Sequence, residues 1–502
     1  MRINKFIFGF EESINMKLKA ILNDIEGLKA KGDLEIDIKS IAHDSRKVEK
    51  GGMFVAIKGY ETDGHKYIKN AIEKGAKVIV IEEGATIKKS DIMGDVTIVM
   101  APNTRLALAK IASNFYNNPS TKFKLIGITG TKGKTTTTFM IKSILEKHGQ
   151  KVGLIGTVAN YIGDKCLGES QRTTPEAIEL QELFNEMVKE KIDTVVMEVS
   201  SQSLKLHRVD GCDFNAVVFT NFSEDHISDR EHPDMKDYFD SKVKLFNMCK
   251  TGFINADDFQ VAKLKKIVPD CDIKTYGIDN TADLLAKDIT VTNASVDFKV
   301  KIGTRNERVK VGIPGRFSVY NSLAAIAITS KFGVSADEIK DALLEIKVPG
   351  RSELVPNKKE LTIMIDYAHS PESLQSILSA VKNYTRGRVI TVFGCGGDRD
   401  ISKRPQMGEI SGNISDFTVI TSDNPRTEDP EKIVKQIEEG TKKTKGKYIA
   451  IVDRVEAIKY AIDMANKNDI VVLAGKGHET YQEINGEKHP FDEREIIKKL
   501  IK

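Results

Sequence analysis

The feature that most constrains this chain is a repeated unit. A short β-branched apolar run is followed by a turn rich in Gly, Asp and Ser, and then by a helical stretch. Residues 77–83 (KVIVIEE), 124–130 (KLIGITG), 194–200 (TVVMEVS) and 216–221 (AVVFTN) read as buried strands, and 362–367, 388–394, 417–423 and 469–475 repeat the pattern. Continuous apolar runs alternating with helices predict α/β layers around largely parallel sheets. Residues 288–312 alternate more loosely, which predicts an antiparallel excursion. Breaks at 117–124 (NNPSTKFK) and 348–350 (VPG) divide the 502 residues into three expected domains, 1–119, 120–348 and 349–502.

Composition narrows the function classes. Hydrophobic residues make up 40% and charged residues 29%, the balance of a soluble globular protein. A net charge of +4 from 76 basic and 72 acidic residues, with no dominant Lys/Arg block, argues against a nucleic-acid partner. The pairs and clusters at Lys358-Lys359 and 442–447 read as solvated faces. The five cysteines (Cys166, Cys212, Cys249, Cys271, Cys395) are odd in number and scattered, with no C-x-x-C, so a disulfide framework or structural zinc is not expected. Residues 1–10 are mildly apolar, but Glu11 and Glu12 cut them short of a signal peptide, and no run is long enough to insert in a membrane. A cytoplasmic monomer is the expectation, with Met16 a second plausible start and residues 1–15 an extension of little consequence.

Seven polar turns follow the apolar runs: ITGTKGKT, MEVSS and TNFSEDH in the middle segment, then DYAHSP, FGCGGDRD, SDNPR and AGKGHE. Open α/β sheets bind ligands beyond the carboxyl ends of their strands, so these turns predict strand tips facing a shared cleft. Gly130, Thr131, Lys132, Gly133, Lys134, Thr135 and Thr136 follow a strand and open a helix expected over 137–148, which Gly149 ends. Such a loop aims backbone N–H groups at phosphate oxygens, with Lys134 reaching the β/γ-phosphates and the Thr135 hydroxyl meeting Mg²⁺. Ile128 stands where the general P-loop pattern has its first glycine, and a plain Gly-rich strand–helix turn is the alternative. Glu198 at a strand tip suits magnesium, although a lone Glu is more often a surface residue. His226, in Asp225-His226, is a second candidate ligand, although a lone histidine is more often structural.

Together with Tyr238–Phe246 (Y-x-x-x-K-x-x-L-F), the turns GTKGKT, MEVSS and NFSEDH resemble the signature of the Mur ligase family, in order and over about residues 40–485. The resemblance implies an N-terminal uridine-binding α/β domain, a central P-loop ATPase domain and a C-terminal Rossmann-like amino-acid-binding domain. It implies ATP as substrate, two Mg²⁺ ions, and a carbamylated Lys242 holding the second ion beside Thr135, Glu198 and His226. From the residues alone, Lys242 is one more lysine on an amphipathic helix. The resemblance also places Asn321 (GRFSVYN) near adenine, Arg351 (VPGRSE) on phosphate and Asp366 (DYAHSP) on ribose, with Ser318 standing where an asparagine is usual.

Ser45 in Asp44-Ser45-Arg46, with Asp63-Gly64-His65, resembles the uridine site of the members that add the third and fifth residues of the stem peptide. Thr173, Thr174, Ser200 and Arg208 resemble the grip on UDP-MurNAc-L-Ala-D-Glu in the third-residue members, with Gln202 and Arg172 departing from the usual histidine and asparagine. Asp423, Asn424, Pro425 and Arg426 (DNPR) resemble the version that takes meso-diaminopimelate, with Arg399, Gly475 and Glu479 completing the pocket. A guanidinium can hold the extra carboxylate of diaminopimelate bidentately, and a buried Arg426 left unpaired would disfavour lysine. Glu479 would pair with the distal ammonium. The alternatives are use of L-lysine, a related Mur or folylpolyglutamate ligase, or a P-loop nucleotide-binding regulator without ligase activity.

Overall fold

The computed structural model describes residues 14–60, 62–86, 92, 94–228, 231–268, 270–357, 359 and 361–501; the leading segment 1–10 and Lys358 lie outside them. Two compact units result, Met1–Asp283 and Leu284–Lys502, so the division falls inside the expected span 120–348 rather than at either expected seam. No helix among the described residues is long and apolar enough to cross a membrane.

In the first unit a five-stranded sheet runs Lys29–Lys31, Thr97–Ala101, Val78–Glu82, Met53–Val55, Ile41–Ala42, parallel except for its first edge. A second sheet places Val152–Ile155, Thr194–Glu198, Lys124–Thr129, Ala216–Phe219, Thr251–Asn255 and Asp272–Gly277 side by side and all parallel. Its other margin is the antiparallel hairpin Ala159–Ile162 and Lys165–Glu169. These strands bury nearly every side chain, as in Ala216–Phe219, because helices such as Lys134–Lys147 and Ala177–Lys189 cover them. Register fixes what meets at their tips: Glu198 stands opposite Ile128, and Phe219 opposite Thr129.

The second unit opens with the antiparallel meander Lys287–Val291, Val296–Ile302, Arg305–Val311. Alternate residues of Val296–Ile302 are buried, which is the looser alternation visible in the sequence, and helix Arg316–Lys331 packs on this face. A six-stranded sheet follows, in the order Glu353–Leu354, Thr362–Asp366, Ile470–Ala474, Val389–Phe393, Phe417–Ile420, Tyr448–Ala450. All its pairings are parallel except the first. One apolar cluster lies on each face of this sheet, centred on Met364, Leu378 and Phe393 on one side and on Ile390, Ile458 and Val471 on the other. Both units are therefore α/β with mostly parallel principal sheets.

Candidate active site

In the first unit the loop after Lys124–Thr129 is built on two glycines with left-handed backbone, Gly130 (φ +140°) and Gly133 (φ +85°). Gly133 caps the helix, so Lys134, Thr135 and Thr136 already form its first turn and the helix begins three residues before the expected Thr137. Ile128, off-pattern in the motif, is a fully buried strand residue, so the loop starts only at Gly130. A second loop seats the first. Asn221 accepts from Thr131 N through its carbonyl (2.9 Å) and from Lys132 N through its side chain (2.9 Å), while Thr220 Oγ1 donates to Lys132 O (2.6 Å).

Lys134 Nζ folds over its own loop and donates to the carbonyls of Gly130 (2.9 Å) and Thr131 (3.0 Å). Lys242 Nζ donates to the same Gly130 carbonyl (3.0 Å) and lies 4.4 Å from the centre of the Tyr238 ring. Lys242 is buried on helix Met235–Val243, and burial, reinforced by the Lys134 charge, drives its pKa well below the ordinary lysine value. Lowering the pKa favours the free amine, the form that is nucleophilic toward CO₂.

Glu198, 1% exposed, gathers donors from two directions. Thr135 Oγ1 donates to Oε2 (3.1 Å), and Thr157 donates through its N–H to Oε1 (2.9 Å) and through its hydroxyl to Oε2 (3.0 Å). No cationic side chain pairs with Glu198 among the described residues, and no group of three or more His, Cys, Asp or Glu side chains converges there to hold a metal. A buried carboxylate beside a threonine hydroxyl is nonetheless an all-oxygen donor pair that fits Mg²⁺, and a carbamate on Lys242 would add oxygens that its amine lacks.

His226 stands apart. Its exposed ring places Nδ1 2.7 Å from Glu231 Oε2, and its backbone is left-handed (φ +59°). Tyr238 stands between it and the loop, with a ring centre 5.8 Å from that of His226 and a hydroxyl 3.2 Å from Thr131 Oγ1. The sequence reading passed over His232, which is fully buried between Asp237 (Nδ1 to Oδ2, 2.6 Å) and Ser201 (Nε2 to Oγ, 2.9 Å). His232 thereby ties the MEVSS turn to the Lys242 helix, and burial lowers its pKa.

Thr173, Thr174, Ser200 and Arg208 come together next to Glu198. Thr173 Oγ1 is 3.0 Å from Thr157 Oγ1, and Thr174 Oγ1 donates to Glu198 O (2.9 Å) while accepting from Ser200 N (3.1 Å). Buried Arg208 donates to Thr174 O (3.3 Å) and pairs with Glu176 (2.8 Å), which Arg105 and Arg172 also approach, each at 3.9 Å. Three guanidinium groups around one carboxylate leave surplus positive charge for an anionic ligand. Ser45 lies buried in the turn Ser45–Lys47, where Arg46 clamps Asp44 and holds its carboxyl at about 2. His65 Nδ1 sits 2.6 Å from Asp63 Oδ1 and its Nε2 accepts from Glu82 N (3.0 Å), the arrangement of a neutral ring.

In the second unit Asn321 is buried on helix Arg316–Lys331, and Ser318 turns its hydroxyl back to Pro314 O (3.1 Å). Asp366, at the tip of Thr362–Asp366, accepts from Ser352 N (2.8 Å) and Ala368 N (3.0 Å); burial raises its pKa against the pull of Arg351. Arg351 lies 5.0 Å over the Tyr367 ring and leaves its buried Nε without a hydrogen-bond partner.

The DNPR and GKGHE turns interlock. Asn424 donates to Glu479 Oε2 (2.8 Å) and accepts from Lys476 Nζ (3.0 Å), which also pairs with Glu479 (3.2 Å). Burial raises the Glu479 pKa. A Cβ on Gly475 (φ +110°) would lie 2.7 Å from Asp423 Oδ2, so this close approach requires glycine. Arg426 is left-handed (φ +51°), a conformation uncommon outside glycine and one that marks site loops. Its Nε donates to Glu483 Oε2 (3.1 Å) and its Nη1 to Gly397 O (2.6 Å). The expected penalty of an unpaired arginine is therefore not what this geometry provides, because Glu483 satisfies the guanidinium from within the chain. Arg399 is exposed beside Gly396, whose Cβ position would lie 3.0 Å from Arg426 Nη1 and 3.9 Å from Arg399 Cγ. Pro425 joins Asn424 to Arg426, and its carbonyl packs against Gly397, where a Cβ would lie 1.9 Å away.

Comparison with known proteins gives a consistent result. Three domain families match in order: "Mur ligase family, catalytic domain" over residues 37–116, "Mur ligase middle domain" over 128–329, and "Mur ligase, glutamate ligase domain" over 350–477. A UDP-N-acetylmuramoyl-L-alanyl-D-glutamate–2,6-diaminopimelate ligase of Caldanaerobacter subterraneus subsp. tengcongensis is 48% identical over 487 residues, covering 97% of this chain and 99% of that protein. A protein of the same description from Clostridium acetobutylicum is 47% identical over 490 residues, covering 97% and 99%. A solved structure of a ligase with that name superposes with a TM-score of 0.70 at 30% identity, covering 97% of this chain and 99% of the other.

Proposed function

Because the chain belongs to the Mur ligase family, we propose that it joins meso-diaminopimelate to UDP-MurNAc-L-Ala-D-Glu, hydrolysing ATP to ADP and phosphate in peptidoglycan precursor synthesis. The amino acid is carried by one observation: Arg426, held left-handed at the rim of the Asn424–Lys476–Glu479 network, presents a fork suited to a second carboxylate. Relatives nearly half identical over almost their whole length bear the same substrate in their names. We place the reaction in the cytoplasm, with the enzyme a monomer divided into uridine-binding (1–119), ATP-binding (120–348) and amino-acid-binding (349–502) segments.

The D-glutamyl carboxylate attacks the γ-phosphorus of ATP, forming an acyl phosphate and releasing ADP. The diaminopimelate amine then adds to the acyl carbon, and the tetrahedral intermediate collapses to the amide with loss of phosphate and a proton. Both partners in the first step are anions, so the work of the site is to neutralise charge and hold the reactants in line. Loop N–H groups of residues 133–136 receive the phosphates, those of Thr131 and Lys132 being given to Asn221, and Lys134 exchanges its two carbonyl partners for phosphate oxygens. Thr173, Thr174, Ser200 and Arg208 orient the dipeptide, and Ser45 sits on the uridine side. Asn321, Asp366 and Arg351 contact adenine, ribose and phosphate. Thr135, Glu198 and carbamylated Lys242 would hold two Mg²⁺ ions, which supply Lewis-acid neutralisation of phosphate charge, whereas His226, exposed and bound to Glu231, is not gathered with them. Diaminopimelate is preferred over lysine by an added ion pair with Arg426, drawn from Glu483, while Glu479 takes the distal ammonium.

The test is phosphate release from ATP and Mg²⁺ with UDP-MurNAc-L-Ala-D-Glu, supplying meso-diaminopimelate or L-lysine. Release with diaminopimelate and little with lysine supports the reading. Equal release with lysine removes the role of Arg426, and release with neither overturns the ligase assignment.

A further inference from the structure

Two loops of the amino-acid pocket begin at Asp423 and Gly475, yet the strands that deliver them, Phe417–Ile420 and Ile470–Ala474, are not neighbours: Val389–Phe393 lies between them. No ladder hydrogen bond can therefore set one loop against the other. The Asn424–Lys476–Glu479 contacts join the loops further out, and Arg454 joins them at their bases. Its Nη1 donates to Ser422 O (3.3 Å) and its Nη2 to Ala474 O (3.0 Å), the carbonyls immediately before Asp423 and Gly475. The guanidinium is itself fixed by Glu493, with Nε donating to Oε1 at 2.9 Å and Nη2 at 2.8 Å from the same oxygen. Both side chains are sealed from solvent, at 0% and 1% exposure.

The anchors are themselves held. Arg454 opens helix Arg454–Met464, capped by Asp453, and Val452 O accepts from Ser422 N (3.2 Å), so the backbone beside Ser422 is held twice. Glu493 opens helix Glu493–Leu500, and its Oε2 is buried with no hydrogen-bond partner among the described residues. An unsatisfied carboxylate oxygen in the interior is unfavourable, and the arrangement gains nothing in stability that apolar side chains could not supply. What apolar side chains could not do is span two strand tips with a rigid fork of donors.

We propose that Arg454, oriented by Glu493, is a positioning residue that sets the spacing of the DNPR and GKGHE loops and so the affinity for the incoming amino acid. The inference rests on the proposed function, since the pocket is that of the amino-acid substrate. A lysine at 454 has its three N–H donors on one nitrogen, whereas the contacts to Glu493, Ser422 O and Ala474 O are made from three nitrogens spread over the guanidinium.

The experiment compares full-length wild type with Arg454→Lys and with the double variant Arg454→Met/Glu493→Leu, which removes the pair without stranding a charge. Folding is checked by circular dichroism and thermal melting, and KM is measured for each substrate. The expected result is a rise of roughly tenfold or more in KM for diaminopimelate, the size expected when hydrogen bonds to a charged group are lost. KM for ATP and for the UDP-sugar dipeptide should stay within about twofold, and the double variant should melt near wild type. Folded variants with wild-type KM for diaminopimelate, or variants whose three KM values rise together, overturn the proposal. Failure of both variants to fold also overturns it, by making the pair a determinant of the fold. A wild type that releases phosphate with neither amino acid overturns the proposed function, and this inference with it.

Discussion

Replacing Gly130 by alanine tests the loop that everything in the first unit converges on. A Cβ there would lie 2.0 Å from Thr220 Oγ1 and 3.2 Å from both Asn221 N and Asn221 O, and the backbone stands at φ +140°. The backbone alone costs about 1–3 kcal/mol for a residue with a side chain. Thr220 must also move, and its hydroxyl donates to Lys132 O (2.6 Å) and approaches Thr129 O (3.3 Å). Losing those bonds adds about 1–2 kcal/mol, for a total of roughly 2–5 kcal/mol, a large share of a typical domain's stability. Gly84→Ala is the control, because Gly84 is also left-handed (φ +84°) but its Cβ would meet nothing within 4 Å. Thr220→Ala alone loses the same two bonds, so Gly130→Ala should cost about 1–2 kcal/mol less in that background than in wild type, the backbone strain alone remaining. Urea denaturation reads the stability, and KM for ATP reads the loop. A Gly130→Ala protein no less stable than Gly84→Ala, or an equal cost of Gly130→Ala in the wild-type and Thr220→Ala backgrounds, would refute the reasoning.

Two further outcomes are expected. Lys242→Ala should lower phosphate release roughly hundredfold, as when one preorganised charged group leaves a phosphate site, and added short carboxylic acids should restore part of it; undiminished turnover would end the carbamate proposal. Arg404, fully buried, holds Glu428 through two 2.8 Å contacts and depresses its carboxyl from 4.5 to about 2. Since the folded value is the lower one, the contribution is present above 4.5 and is lost as pH falls toward 2. Glu428→Gln should therefore have a lower urea midpoint than wild type at neutral pH, with the gap closing through that acid window; a gap independent of pH would contradict it.

The sequence carried the strands well because buried parallel strands announce themselves as continuous apolar runs, and Val78–Glu82, Lys124–Thr129 and Ile470–Ala474 lie where those runs are. It also shows the strand tips themselves, since the 130–136 loop, the Glu198 tip and the DNPR turn are each one continuous stretch of sequence. It could not carry partners set by tertiary structure. Five scattered cysteines show no pair, yet Cys249 and Cys271 stand 3.6 Å apart because each precedes one of two adjacent parallel strands, Thr251–Asn255 and Asp272–Gly277. His232, Arg404 and Arg454 were equally silent, since a buried polar residue is recognisable only once its partner, here Asp237, Glu428 or Glu493, is in place.

Arg426 shows why this limit matters for function. Read alone, DNPR suggests an arginine that rejects lysine because nothing would pair with it. Glu483, 57 positions away, lies on the strand Tyr481–Ile484 and accepts from the guanidinium. Under the proposed role of Arg426, selectivity comes from exchange: the distal carboxylate of diaminopimelate would compete with Glu483 for the fork, and lysine would leave the internal pair intact. An exchange separates the two amino acids by less than an unpaired buried charge would, because the losing state is still satisfied. The ratio of rates with diaminopimelate and lysine therefore measures the difference between two carboxylates at one arginine, and removing Glu483 should widen it.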